Sequence, residues 1–377
     1  MAASFSLSLL AGQAGGAGYQ GPPELTAARV FTSWTLDLPV LLAVLLAGGL
    51  YLAGVRRLRR AGQPWPAGRL WCFYLGGLGT LVIATMSFLG VYQNVLFYIR
   101  SVQTILLLLV APLFTALGRP LTLAIATLPR LGPRLGALVR SRAARLLTFP
   151  AITTLVLVVV PFVLYFSPWY AASMSSDTVR ELTYLALLAP GFVFFWMFLR
   201  VDPVPRAYPY LVGLWVSAGE VVGDAVLGLA ILADQSLIAG AYYHALARPW
   251  GPSLSSDQVI GGGALWVLGD IVGLPFLAAQ FIQMIREDET EAAGVDAELD
   301  AVEAAEAAAA AGAPEVAGEP AGGAGPGEPA GQQPWWERDP RFADRFRSAG
   351  GGPTGGGSAG GRSAGGGSAG GRSAGGS

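Results

Sequence analysis

Tyr98-Ile-Arg-Ser-Val-Gln-Thr-Ile-Leu-Leu-Leu-Leu-Val-Ala-Pro112 reads as the opening of a membrane helix. About 20 apolar residues cross a bilayer's hydrocarbon core, and this run continues in kind to residue 117. Spacings of three and four residues place Arg100, Gln103 and Thr104 on one helical face. A charge against lipid is expensive, so that face is expected to turn into a bundle.

Outward from this stretch the chain has two unlike parts. Of its 377 residues 53% are apolar and 13% charged, with a mean hydropathy of +0.50. Seven apolar spans emerge near residues 38–55, 69–90, 98–117, 149–167, 182–199, 209–232 and 262–284, the fifth being short. They divide the chain into an extracytoplasmic segment 1–37, a membrane domain 38–285 and a cytoplasmic tail 286–377. Met1 to Gln20 carry no basic residue, so no cleaved signal peptide is expected. The fold class is thus an all-α integral membrane protein with seven transmembrane helices and a disordered tail.

Arginines set the expected orientation, since every basic residue is Arg. Arg56, Arg57, Arg59, Arg60 and Arg69 crowd the first loop, six more between Arg119 and Arg145 the third, and Arg200 and Arg206 the fifth. The other loops carry few, which puts odd loops and the C-terminus in the cytoplasm and the N-terminus outside. Trp65, Trp71, Trp169, Tyr170, Tyr242, Tyr243 and Trp250 fall near span ends, as interfacial anchors would.

The tail begins with nine acidic residues between Glu287 and Glu306, in a stretch that suits a solvated helix. Gly, Pro and Ala then dominate, a composition that cannot bury a core. One island, Pro334 to Arg347 with Trp335 and Trp336, has two readings: a segment docking to a partner or the inner leaflet, or an inert remnant. The last thirty residues repeat Ser, Ala, Gly and Arg like a flexible linker.

Composition excludes several chemistries. A single Cys72 rules out an intramolecular disulfide and a Cys-x-x-Cys pair, and a single His244 rules out paired-histidine metal motifs. No Ser-His-Asp arrangement fits within the membrane, and nothing favours hydrolysis or nucleic acid. Gly261-Gly-Gly263 lacks the Lys and Ser/Thr of a phosphate loop and suits close packing. The informative groups are intramembrane ionisable ones. Glu220 and Asp224 share a face of the sixth span, and Asp270 lies in the seventh at a depth like that of Asp224. With Arg100 they form a candidate polar cluster. It has two readings: a proton or cation path, or an ion pair between Arg100 and an acid that holds spans three, six and seven together.

A set of short stretches in order resembles the CtaG family of cytochrome c oxidase assembly factors, bacterial seven-span proteins linked to copper-site maturation. It comprises Trp34-Thr-Leu-Asp37, Tyr51 to Arg60 with Trp65-Pro66, Gly90-Val-Tyr92, Val110-Ala-Pro112 and Leu117-Gly-Arg-Pro120. Gly191, Phe194-Phe-Trp196, Asp202-Pro-Val-Pro205, Asp257-Gln258, Gly261-Gly262, Trp266 and Gly269-Asp270 complete it, over residues 30–285. The resemblance implies a multi-pass protein of the bacterial plasma membrane. Its partners would be the lipid bilayer and oxidase subunits or other assembly factors, and its role non-enzymatic.

Departures from the family bear on copper. The family's histidine pair at the start of the third span falls on Arg100 and Thr104. Its fifth-span histidines fall around Tyr184 and Ala186, and a sixth-span one near Asp224. Arginine has no lone pair to offer a metal, whereas imidazole and thioether suit copper. The residues therefore give no metal site, and copper enters through the resemblance alone. Two expectations follow: support of oxidase maturation by scaffolding or partner interaction, with Arg100 balancing Asp224 or Asp270, and alternatively a small proton-coupled transporter using the carboxylates.

Overall fold

Every regular element among the described residues, 19–206 and 208–311 of this computed structural model, is helical. Seven helices are long: α1 Leu38–Arg60, α2 Ala67–Tyr92, α3 Phe97–Leu117, α4 Pro150–Phe166, α5 Asp177–Leu199, α6 Tyr210–Ala233 and α7 Leu254–Ala311. Six are long and apolar enough to cross a membrane. The other, α4, bends by 74° at Ser167 into a short helix Pro168–Ser175, and the two count as a seventh crossing if taken together. The described residues up to Glu303 form one compact unit, and those from Ala304 belong to a second. Of the second only the helical residues 304–311 are described. Trp335 and Trp336, the linker-like repeat and Met1 to residue 18 lie outside the described residues.

Local chemistry explains most helix starts. Asp37 accepts a hydrogen bond from the Val40 amide at 3.2 Å, with a proline in the first turn of α1. Ser176 accepts from the Val179 amide at the start of α5. That cap, with Arg180 paired to Asp177 at 2.8 Å, lets α5 begin five residues before the purely apolar run at 182. The fifth span is therefore full length, not short. At the other end of the chain α7 passes residue 285 without interruption. The acidic stretch beyond is rich in Ala and Glu, strong helix formers, and remains helical and exposed.

α3 is the most enclosed helix. Leu107 and Leu109 are fully buried with Leu157 and Leu164 of α4 and Phe194 of α5. At the α3–α5 crossing, a side chain at Gly191 would strike the Leu108 carbonyl, so only glycine permits the approach. Leu42, Leu45, Leu46 and Leu50 of α1 face outward, an apolar surface suited to hydrocarbon.

Loops on the arginine-rich side are tied by buried polar residues. Asp202 caps the helix Pro120–Thr127, accepting from the amides of Leu121 at 3.2 Å and Thr122 at 2.9 Å. Burial raises its carboxyl above the ordinary carboxylate range, and the bonds from Thr122 and Leu121 oppose that rise. Tyr51 donates to the Gly118 carbonyl at 2.7 Å and accepts from the Trp65 indole at 3.1 Å. Trp65 is thus a buried strut and not an interfacial anchor, because its N–H finds a partner inside. Tyr170 and Tyr243 are corrected in the same way: both are buried, their hydroxyls 3.0 Å apart.

Asp202→Ala removes both amide acceptors from the Pro120–Thr127 cap. It should cost about 1–2 kcal/mol, read as a lower Tm in detergent, with helicity by circular dichroism unchanged.

Candidate functional site

The Arg100 face is closed by residues from five elements. Arg100 is 1% exposed. One guanidinium nitrogen, Nη1, donates to Gln93 Oε1 at 2.7 Å and to Gln103 Oε1 at 2.9 Å, and Nη2 donates to Ser173 Oγ at 3.0 Å. Gln103 in turn donates to the Ala84 carbonyl of α2 at 2.8 Å, and Gln93 Oε1 accepts a second bond, from the Tyr184 hydroxyl of α5 at 2.7 Å. Thr104 donates to the Arg100 carbonyl at 2.9 Å and meets the Tyr165 hydroxyl of α4 at 3.0 Å. The Tyr184 ring lies 6.0 Å from the guanidinium. Every direct side-chain partner of this cation is neutral.

That arrangement overturns the expected ion pair. None of the ion pairs among the described residues includes Arg100, Glu220, Asp224 or Asp270. Counting residues along separate helices gave similar depths but could not say which way each side chain faces. Two neutral glutamines and a serine fill the space where a carboxylate would have to stand. They satisfy the charge without the second desolvation that an acid would add.

The same contacts decide the fit to copper. At positions 100, 104, 184, 186 and 224 stand Arg, Thr, Tyr, Ala and Asp. Arg100 has no lone pair, and Thr104 and Tyr184 are engaged in the bonds just described. These residues do not fit copper. Nor do any three His, Cys, Asp or Glu side chains among the described residues converge as metal ligands. His244 is exposed.

Glu220, Asp224 and Asp270 come together elsewhere, along the seam between antiparallel α6 and α7. A Cβ on Gly273 would lie 3.0 Å from Glu220 Oε2, and one on Gly269 would lie 2.5 Å from Asp224 Oδ2. Next along the seam, Gly228 takes the backbone and Cβ of Trp266. Glycine on one helix faces an acid, or the backbone and Cβ of Trp266, on the other. Gly261 and Gly262 continue this close packing, against Phe97 of α3 and Gly228 of α6. Two of the three glycines serve helix approach, and the third, Gly263, faces open space.

Asp257 and Gln258 organise the end of the bundle where α3 begins. Asp257 accepts from the amides of Phe97 at 3.1 Å and Tyr98 at 3.0 Å, capping α3 from another helix. A carboxylate there also complements the positive end of the helix dipole. It pairs with Arg248 at 3.3 Å, both side chains almost fully buried. Gln258 accepts from the Ile238 amide at 2.9 Å and donates to the carbonyls of Asp234 and Ser236 at 3.2 and 3.0 Å. Tyr243 sits beside this lacing, and burial pushes its phenol up, keeping it neutral.

Sequence reasoning missed Gln93, Ser173, Ser217, Arg248 and Gln280, and it marked Tyr184 only as a position where the family has histidine. Gln93 and Arg248 lie outside the apolar runs, and serines and tyrosines in spans are too common to single out. Gln280, a polar residue within the seventh span, was a usable signal. Arg100→Ala leaves Gln103 Oε1 without its guanidinium donor and opens a cavity, so it should destabilise the bundle by about 2–4 kcal/mol. Arg100→Lys, with a point charge in place of a fork, should fall between it and wild type in detergent melts.

Two comparisons place the chain among known proteins. Uncharacterised proteins of Mycobacterium bovis and Mycobacterium tuberculosis are each 30% identical over 292 residues, 75% of this chain and 44% of their own length. One from Mycobacterium leprae is 29% identical over 291 residues. The chain thus spans less than half the length of the curated relatives it matches. No solved structure matches it. The profile described as cytochrome c oxidase caa3 assembly factor matches residues 49–287, from the middle of α1 into the exposed part of α7. By that match the chain belongs to the Caa3_CtaG family of cytochrome c oxidase assembly factors.

Proposed function

We propose that this chain supports maturation of cytochrome c oxidase as a membrane scaffold for the oxidase or its assembly partners. The observation that carries this reading is a family match over the whole polar framework, from Tyr51 through Arg100 to Asp270. Two features favour scaffolding over metal delivery by these residues. The Arg100 face is filled by its own hydrogen bonds, and its donor set does not suit copper. The framework instead fixes the relative positions of α2, α3, α5 and α7, which a docking surface requires.

The chain crosses a bacterial plasma membrane seven times in this reading, α4 and Pro168–Ser175 together forming the fourth crossing. The arginine-rich loops lie in the cytoplasm, with the N-terminus outside and the C-terminus inside. The polar island at Trp335 and Trp336 is a docking segment for a partner or the inner leaflet in the same proposal.

Deleting the gene should reduce the amount of spectroscopically intact oxidase in membranes, and the full chain supplied in trans should restore it. Added copper should not. Restoration by copper alone would assign a metal-handling role, and unchanged oxidase content on deletion would sink the assembly reading.

A further inference from the structure

The seam between α6 and α7 holds the largest concentration of unsatisfied polar atoms among the described residues. Both carboxyl oxygens of Glu220, one each of Asp224 and Asp270, Ser217 Oγ and Gln280 Oε1 are buried without a hydrogen-bond partner. Glu220 is 2% exposed, Asp224 5%, Gln280 4% and Ser217 0%. Ser217, Glu220 and Asp224 recur at three and four residues along one face of α6. Gln280 continues the line, its Oε1 3.0 Å from where a Cβ on Gly213 would stand. Glycines at 213, 269 and 273 leave the room these groups occupy.

Buried polar groups in folded proteins are nearly all paired, so each exception calls for a bonding partner. Here the unpaired atoms are oxygens; only the Ser217 hydroxyl among them carries a hydrogen to donate, the Gln280 amide being engaged with the Phe198 carbonyl at 2.9 Å. Their neighbours supply no counter-charge. The ionisable groups that act on one another here, Glu220, Asp224 and Asp270, are all acids. From α4, Thr154 and Val158 face the α6 glycines, and from α5 Phe198 approaches beside Gln280. Glu287, the nearest acid beyond the seam on α7, pairs with Arg200. Three negative charges at such a place would face both desolvation and mutual repulsion.

Oxygens without donors are satisfied by a cation or by protons. The three carboxyl groups do not converge as metal ligands. We propose that the α6–α7 seam is a proton-binding site, in which Glu220, Asp224 and Asp270 take up protons and share them with one another. Each uptake converts one carboxylate and one proton to a carboxylic acid, which adds the O–H donor that the seam lacks. Proton occupancy then sets how closely α6 and α7 pack. The seam is a protonation-sensitive joint in the bundle, apart from the Arg100 framework. This inference does not rest on the oxidase reading.

Dicyclohexylcarbodiimide attacks protonated carboxyl groups in apolar surroundings and leaves a stable acylurea that mass spectrometry locates. With the full chain in lipid vesicles, Glu220 should be labelled, labelling should fall as pH is raised, and sodium or calcium at constant pH should not protect it. Asp224→Asn and Asp270→Asn should each move the pH midpoint of Glu220 labelling, because the three groups share their protons. Infrared difference spectra provide a reading independent of reagent access: a protonated-carboxyl band should be present in wild type and absent in Glu220→Gln. Thermal stability of wild type should fall as pH rises, while the variant with all three acids amidated should be flat. Protection by sodium or calcium would assign a metal cation instead. Absence of the infrared band, or pH-independent stability in wild type, would overturn the proposal whatever the labelling shows.

Discussion

A guanidinium sealed inside a membrane bundle has to be surrounded by its own acceptors, and Arg100 imposes that condition on most of this fold. Water is excluded at 1% exposure, so the guanidinium depends on oxygens within the protein, which both Nη atoms find and Nε does not. The oxygens come from Gln93 near the end of α2, Gln103 one turn along α3, and Ser173 in the helix beyond the bend at Ser167. Each acceptor is itself held: Gln93 by Tyr184 of α5, Gln103 by the Ala84 carbonyl, and Ser173 by the Tyr170 carbonyl at 2.7 Å. One charge thereby specifies the relative placement of four segments. Apolar packing alone would leave helices free to slide, since lipid tails and leucines are equally apolar.

The two ends of α3 are treated alike by different means. At its start, Asp257 reaches across from α7 to cap the amides of Phe97 and Tyr98. Near its end, the Gly118 carbonyl receives the Tyr51 hydroxyl from α1. Both terminal regions are buried, where open backbone groups would be costly. α3 is held at its ends by polar side chains of the first and last long helices, and along its length by leucine packing and the Arg100 network.

Hydrophobic pattern alone located the seven long helical regions, because a run of apolar residues in a chain of this kind has few other uses. Motif positions carried further: Asp202, Asp257 and Gln258 occupy buried positions and Asp270 a half-buried one, although what they touch lay beyond reach. Helix ends were harder. α5 begins at Asp177 because Ser176 caps it, and α7 continues past 285 because its acidic stretch is made of helix formers. Neither feature shows in hydropathy. The pairing of Arg100 with an acid was the main error. Opposite charges at similar depth attract on paper, but rotation about each helix axis placed the acids in another seam. Ser173 is 73 residues from Arg100 in sequence, and no local pattern connects the two.

A polar framework without imidazoles or thiolates sits at the place where copper ligands would be sought, and it holds helices rather than metal. The direct measurement is competition for Cu(I) between the full chain, purified in detergent, and a coloured chelator. The account predicts that the chelator keeps its copper, for wild type and for Thr104→Val alike. Stoichiometric transfer of copper to the wild-type protein, lost when Thr104 or Gln103 is replaced, would contradict it.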